Sequence, residues 1–463
     1  MIKLIRCCIM GFFVTSILVA HSTFGQTFQL LHYFVASEGS SPHSKLVQGN
    51  DDFLYGTTFT GSSPSRAGSI FKISYDGVLT TLVCFDTNNG ANPQVGLVLG
   101  TDGNFYGSTL HSAEPGGGTN KGMLFRVTSH GNFAKLATFN GTNGAAPWAE
   151  LVEGENGNFY GTTRLGGDFD RGTIFRINTN GTLAKLFSFD GTNGAGPVAA
   201  LIWGADGNLY GNTQKGPLNQ GFLDFMGTVF KTTINGDLTT LVNFRTNNGA
   251  YPSASLVQNG DGTFYGTTEQ GRQDLVYGPG KGTVFQMNST GNLTQLAVFE
   301  DTNGSYPQSS LVKGPDGCFY GTTRLGGQFF AGTIFRITTD GVLTTIHHFN
   351  GTNGAAPMAG LTMGHDGNLY GMTSAGSIFG GTTTILGVVY RLVMTPALTL
   401  VENGNELALS WPTNISGFTL QSATDLNSPI NWFDSTNAPA VVGGQFMVTN
   451  TFSVSGQFFR LKK

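Results

Sequence analysis

Charge is scarce in this chain: Asp, Glu, Lys and Arg make up only 11% of its 463 residues. No basic stretch stands out, which excludes nucleic acid as a partner, because phosphate recognition rests on clustered Lys and Arg. Cysteine is nearly absent too, with four residues, of which Cys7 and Cys8 fall in the first apolar run. The remaining Cys84 and Cys318 are too few for a disulfide framework, and they are expected as free thiols with no thiolate metal site. Past the N-terminus no apolar run is long enough to span a bilayer.

What fills the space is glycine (69 residues) and phenylalanine (37), with Thr and Asn recurring throughout. That composition favours short strands joined by tight turns over long helices. The first residues read MIKLIRCCIMGFFVTSILVAHSTFGQ: Lys3 and Arg6, an apolar run from about Cys7 to Ala20, then small residues at Thr23 and Gly25. This pattern predicts an export signal peptide over 1–25 and an exported mature chain. Removing Lys3 and Arg6 leaves 22 basic residues of the original 24 against 28 acidic ones, a net charge near −6.

One segment repeats along the whole chain. NFYGTTRLGGDFDRGTIFRI (158–177) recurs almost verbatim as CFYGTTRLGGQFFAGTIFRI (318–337), and the tyrosine of the YGTT-type motif falls at 55, 106, 160, 210, 265, 320 and 370. Seven copies at a period of 50 to 55 residues indicate a propeller or a solenoid. In the third copy, APWAELVEG and NFYGTT flank a tight turn, and GTIFRI and TLAKLFSF flank another. Those are two hairpins, hence four strands, the content of a propeller blade. The strand type of TLAKLFSF first appears as FQLLHYF (28–34), before any other strand, and the last unit lacks it. The expected fold is therefore all-β: a seven-bladed β-propeller over 26–394, closed by strand 28–34 as the outer strand of the last blade. An open solenoid would leave that strand with no partner sheet.

The repeat resembles the GloVer tandem repeat of exported bacterial "choice-of-anchor" proteins, over Phe28 to about Leu392. The resemblance implies an exported β-propeller and brings no catalytic residues with it. After Met394 a different alternation begins, with runs around Leu398–Val401, Leu407–Trp411 and Phe418–Ser422 and three more behind them. It predicts a small fibronectin- or immunoglobulin-like β-sandwich over 395–463, with Trp411, Phe418, Trp432 and Phe459 in its core.

Motifs that imitate chemistry fail on inspection. GPGKGT (278–283) lacks the Ser or Thr and the helix of a nucleotide loop. Asp168 and Asp170 are replaced by Gln328 and Phe330 in the sixth copy, and two carboxylates do not make a calcium loop. His347 and His348 alternate on one strand and face opposite ways. No cofactor, metal or catalytic triad is assigned.

All the length variation lies in the loop between the second and third strands, on the face where each inner strand begins. His43, Gln94, Trp148, Val198, Ser253, Gln308 and Met358, just past each proline, are expected to ring the channel mouth there, with Lys45, Gly96, Glu150, Ala200, Ser255, Ser310 and Gly360 two residues further in. His43, Lys45, Gln94, Trp148 and Glu150 would form a one-sided pocket, with Arg164 and the loop aromatics Phe222 and Tyr277 beside it. The reading is a monomeric binding module for a glycan or protein ligand on the loop-rich face. The alternatives are a propeller lyase or glycan-active hydrolase in the channel, and a structural envelope protein.

Overall fold

The computed structural model describes residues 26–462 apart from 62–66, 87, 113–120, 218–225, 246, 272–279, 378–383, 395, 397, 404–405, 413–417, 424–430, 444 and 452–457. The expected signal peptide, Phe222 and Tyr277 lie outside the described residues. Seven antiparallel four-stranded sheets follow one another, and no described residue is helical. No helix among the described residues is long and apolar enough to cross a membrane.

The third blade shows how the sequence makes each sheet. Its strands are Val152–Glu153, Phe159–Thr163, Thr173–Ile177 and Leu183–Ser188, paired in that order. The inner strand is much shorter than the alternation of APWAELVEG suggests. Pro147 has no N–H to give a ladder and Ala146 stands at φ 52°, so the chain bends away from the sheet before it can pair. The first hairpin turn is locked to the strand it feeds. The Tyr55 hydroxyl donates to Asp51 Oδ2 at 2.8 Å and Tyr106 to Asp102 Oδ2 at 2.8 Å, and in the third blade Asn156 Nδ2 donates to the Tyr160 hydroxyl at 2.9 Å.

Apolar side chains on the blade faces pack between neighbouring sheets. Tyr106, Leu124 and Phe139 of the second blade form one buried cluster with Leu151, Phe159 and Phe175 of the third. Tyr106 stacks on Phe159 with ring centroids 4.1 Å apart, and Tyr55 stacks on Phe105 in the same way at 4.1 Å. The glycine after each tyrosine makes room within its own blade. A Cβ at Gly161 would lie 2.7 Å from Phe175 Cζ and 2.8 Å from Leu151 Cδ2, so two side chains of the same sheet occupy its place.

The ring closes through its first strand. Gln26–Tyr33 pairs antiparallel with Val388–Met394, from Gln26 opposite Met394 to Tyr33 opposite Val388, and completes the seventh sheet. Phe34, Leu46, Leu54 and Phe71 share a core with Tyr370, Met372 and Val389, which joins the first blade to the last. Pro42 abuts Gly387 across the same seam.

Beyond Met394 the described strands form a four-stranded sheet that includes Glu406–Pro412 and Gln445–Thr451, and a three-stranded sheet that includes Thr419–Ala423 and Phe458–Lys462. Leu409, Trp411 and Val448 of one share a core with Leu420 and Phe459 of the other. Phe418 and Trp432 depart from the expected core: Phe418 packs against the cluster of Met394 and Leu392, and Trp432 is only half-buried.

Candidate functional site

A strained turn aims side chains into the channel mouth in every blade. The residue before each proline has positive φ: Ser41 53°, Asn92 58°, Ala146 52°, Gly196 63°, Tyr251 57°, Tyr306 56° and Ala356 51°. A non-glycine residue rarely adopts this conformation, and a following proline restricts it further. Hydrogen bonds at both ends hold it. Ala146 N donates to Lys121 O of the preceding blade at 2.9 Å, and Ala146 O accepts from Arg164 N at 2.9 Å. Ala145 and Leu165 exchange a second pair of bonds, at 2.8 and 3.0 Å, which ties the proline turn to the loop after the second strand. Both loops therefore stand on one face, and Trp148, Glu150 and Arg164 meet at its centre.

The mouth holds a cavity of about 290 Å³. His43, Lys45, Gln94, Trp148, Glu150 and Arg164 all line it, so six of the eight expected site residues are brought together. At its floor Lys45 Nζ pairs with Glu150 Oε2 at 2.9 Å, joining the first blade to the third. The second blade places Gly96 between them, where a Cβ would lie 2.5 Å from Glu150 Oε1. The Glu150 charge raises the Lys45 pKa above the ordinary lysine value, against the effect of burial. Above the floor, Arg164 lies 4.5 Å over the Trp148 ring. His43 stacks on Phe59 at 4.9 Å, and its Nδ1 is 3.4 Å from Gln94 Oε1. Burial lowers the His43 pKa, the Gln94 contact opposes that, and the Arg324 charge adds to the lowering. Burial thus favours the neutral imidazole of His43.

The pocket is not one-sided as expected. Gln214, Ser253, Ser255, Glu269, Gln308 and Ser310 complete the wall from the fourth to sixth blades. Ser253, Gln308, Ser255 and Ser310 are where the offset from each proline places them, and Gln214 and Glu269, in the place of Arg164 after the YGTT-type motif, are the additions. Ser255 Oγ accepts from Ala200 N at 3.0 Å, which fixes part of this hydroxyl-bearing wall.

Other polar residues singled out in the sequence have local partners. Asp168 pairs with Lys185, and Asp170 Oδ1 accepts from Gly166 N at 2.8 Å. His347 stacks on Phe28 at 3.9 Å, and His348 Nδ1 accepts from Gln328 N at 3.1 Å. Cys84 is exposed, Cys318 is buried, and both are free thiols. Among the described residues no group of three or more His, Cys, Asp or Glu side chains is placed to hold a metal ion.

Comparison with known proteins adds family and fold. The Gloeobacter/Verrucomicrobia repeat matches the chain three times, over residues 16–147, 110–273 and 218–385. No curated protein matches it in sequence. A fungal alcohol oxidase of the AA5 family, solved in complex with copper, superposes with a TM-score of 0.52 at 11% identity, covering 94% of this chain and 93% of its own. The periplasmic gluconolactonase PpgL of Pseudomonas aeruginosa gives a TM-score of 0.46 at 15% identity, covering 70% of this chain and 95% of its own. A 6-phosphogluconolactonase, so named by inference, from Bacteroides uniformis gives 0.46 at 16% identity, covering 88% and 100%. At such identities the likeness is one of fold.

Proposed function

We propose that this chain, which belongs to the Gloeobacter/Verrucomicrobia repeat family, is an exported glycan-binding propeller that seats a sugar in its channel mouth. The observation that carries the reading is the union of Trp148, Arg164 and the Lys45–Glu150 pair in one cavity of about 290 Å³. That volume is near the lower end of small-molecule sites, roughly 300 Å³. An indole offers an apolar plane to the C–H face of a sugar ring. The ammonium, carboxylate, amide and hydroxyl groups around it supply donors and acceptors to the ring's hydroxyls. Sites built on few placed polar groups gain specificity from leaving them unpaired with the wrong ligand.

Binding is favoured over turnover by how the charged groups are used. Glu150 and Lys45 are engaged with each other at 2.9 Å, and His43 is directed to Gln94. Acid–base catalysis needs such groups within reach of a substrate proton and tuned toward the working pH. In this reading residues 1–25 are the signal peptide, the mature protein is a monomer, and residues 395–463 form a β-sandwich that attaches or sorts it. The test is a screen of the mature protein against immobilised glycans, repeated with W148A. Glycan binding that W148A abolishes supports the reading, and the absence of any glycan ligand overturns it.

A further inference from the structure

The loops after the second strand of the third and sixth blades are near copies, RLGGDFDR (164–171) and RLGGQFFA (324–331). Each starts at the proline turn that leads into its own blade's inner strand: Arg164 N donates to Ala146 O at 2.9 Å and Arg324 N to Tyr306 O at 3.1 Å, and Arg164 lines the cavity. Each then carries large apolar side chains out into solvent: Phe169 is 57% exposed, Phe329 45% and Phe330 68%. These rings stand on loops of the face that carries the mouth, and an exposed aromatic plane offers a stacking surface to a ligand laid over that face.

These loops are fixed to the outer strands of their own blades. Asp168 N donates to Ser188 Oγ at 3.2 Å, and Gln328 N donates to His348 Nδ1 at 3.1 Å. Phe330 is held at φ 57°, a conformation that is costly for an aromatic residue, and its ring gains no burial in return. Three steps apart in a ring of seven, the two loops stand on opposite sides of the mouth.

We infer that the ligand is an oligosaccharide chain laid across this face from the third blade to the sixth, with Phe169 and Phe330 as outer stacking platforms. The inference rests on the mouth being a sugar site. It commits to a carbohydrate chain because the track passes through a wall of serine hydroxyls and amides between its two aromatic ends. A protein partner would instead meet a polar hollow at the centre of its contact.

The experiment is isothermal titration of the full mature protein with cello-, xylo- and galacturono-oligosaccharides of one to six units. At least one series is expected to gain tenfold or more in affinity between two and six units. F169A with F330A should remove that gain and leave the disaccharide affinity within twofold, and F330W should retain it. Both rings are exposed, so the variants are expected to fold, and thermal melting checks this. Equal affinity at all lengths, or a length dependence untouched by the double variant, overturns the inference and leaves the mouth reading in place. In the second case the exposed rings are free for a protein partner. If no saccharide of any length binds, the mouth reading itself falls.

Discussion

Lys45 and Glu150 meet at 2.9 Å from blades that are not neighbours, across a second blade whose Gly96 leaves room for the contact. The pair shapes the floor of the cavity, and its energetics can be read without knowing the ligand. Lys45 has its pKa raised by Glu150. Its contribution to stability is fully present below the unfolded lysine pKa, about 10.4, and is lost as pH rises through the higher folded value. E150Q should therefore destabilise the protein near pH 8 by about 1–2 kcal/mol, less than a fully buried pair because the Lys45 side chain is 37% exposed. Thermal melts of both proteins from pH 8 to above 11 should show the gap closing at the alkaline end.

Gly96→Leu should break the same contact by sterics alone. Its side chain begins 2.5 Å from Glu150 Oε1 and 3.0 Å from Lys45 O, and backbone cannot yield as a flexible side chain does. The expected outcome is a fall in the Lys45 pKa, measured by NMR titration of the labelled lysine, with the propeller still folded.

Acid should loosen the seam of the ring. His347 stacks on Phe28 of the closing strand, and burial, with a smaller effect from His348, lowers its pKa to about 4. The unfolded chain takes up a proton near pH 6.5 that the folded chain refuses until about pH 4. Stability present above pH 6.5 is thus lost progressively across that window, by about 1–2 kcal/mol after allowance for partial exposure. H347F keeps the stack and removes the titration, so its melting temperature between pH 7 and 4.5 should fall less than that of the wild type.

Much of this fold was readable because the repeat states it seven times. Tyr160, Gly161, Phe175 and Leu151 recur at fixed offsets, and the early FQLLHYF run announced the closing strand. What was not readable depends on contacts across the ring. The positive φ of Ala146 is enforced by Lys121 and Arg164 from separate elements. The part of the pocket built by Gln214 and Glu269 needed the offset of Arg164 to be followed around the blades, as that of Trp148 was. The glycine of the YGTT-type motif was legible as a repeated position, but not that Phe175 of its own sheet fills the space beside it.

That last contact gives a double-variant test. G161A should cost about 1–3 kcal/mol by overpacking, since the new Cβ would sit 2.7 Å from Phe175 Cζ. Adding F175L should recover part of the loss in denaturant unfolding, because the two residues share one space. Additive losses would show that the strain lies elsewhere.

The most direct measurement of the central claim is the binding of a glycan panel to the mature protein and to W148A, with equal folding of the two confirmed by thermal melting. The account predicts a saccharide ligand for the wild type and at least a tenfold loss in W148A, because Trp148 and the Arg164 it supports stand at the cavity wall. Saccharide binding unchanged in W148A, or none to the wild type, would contradict it.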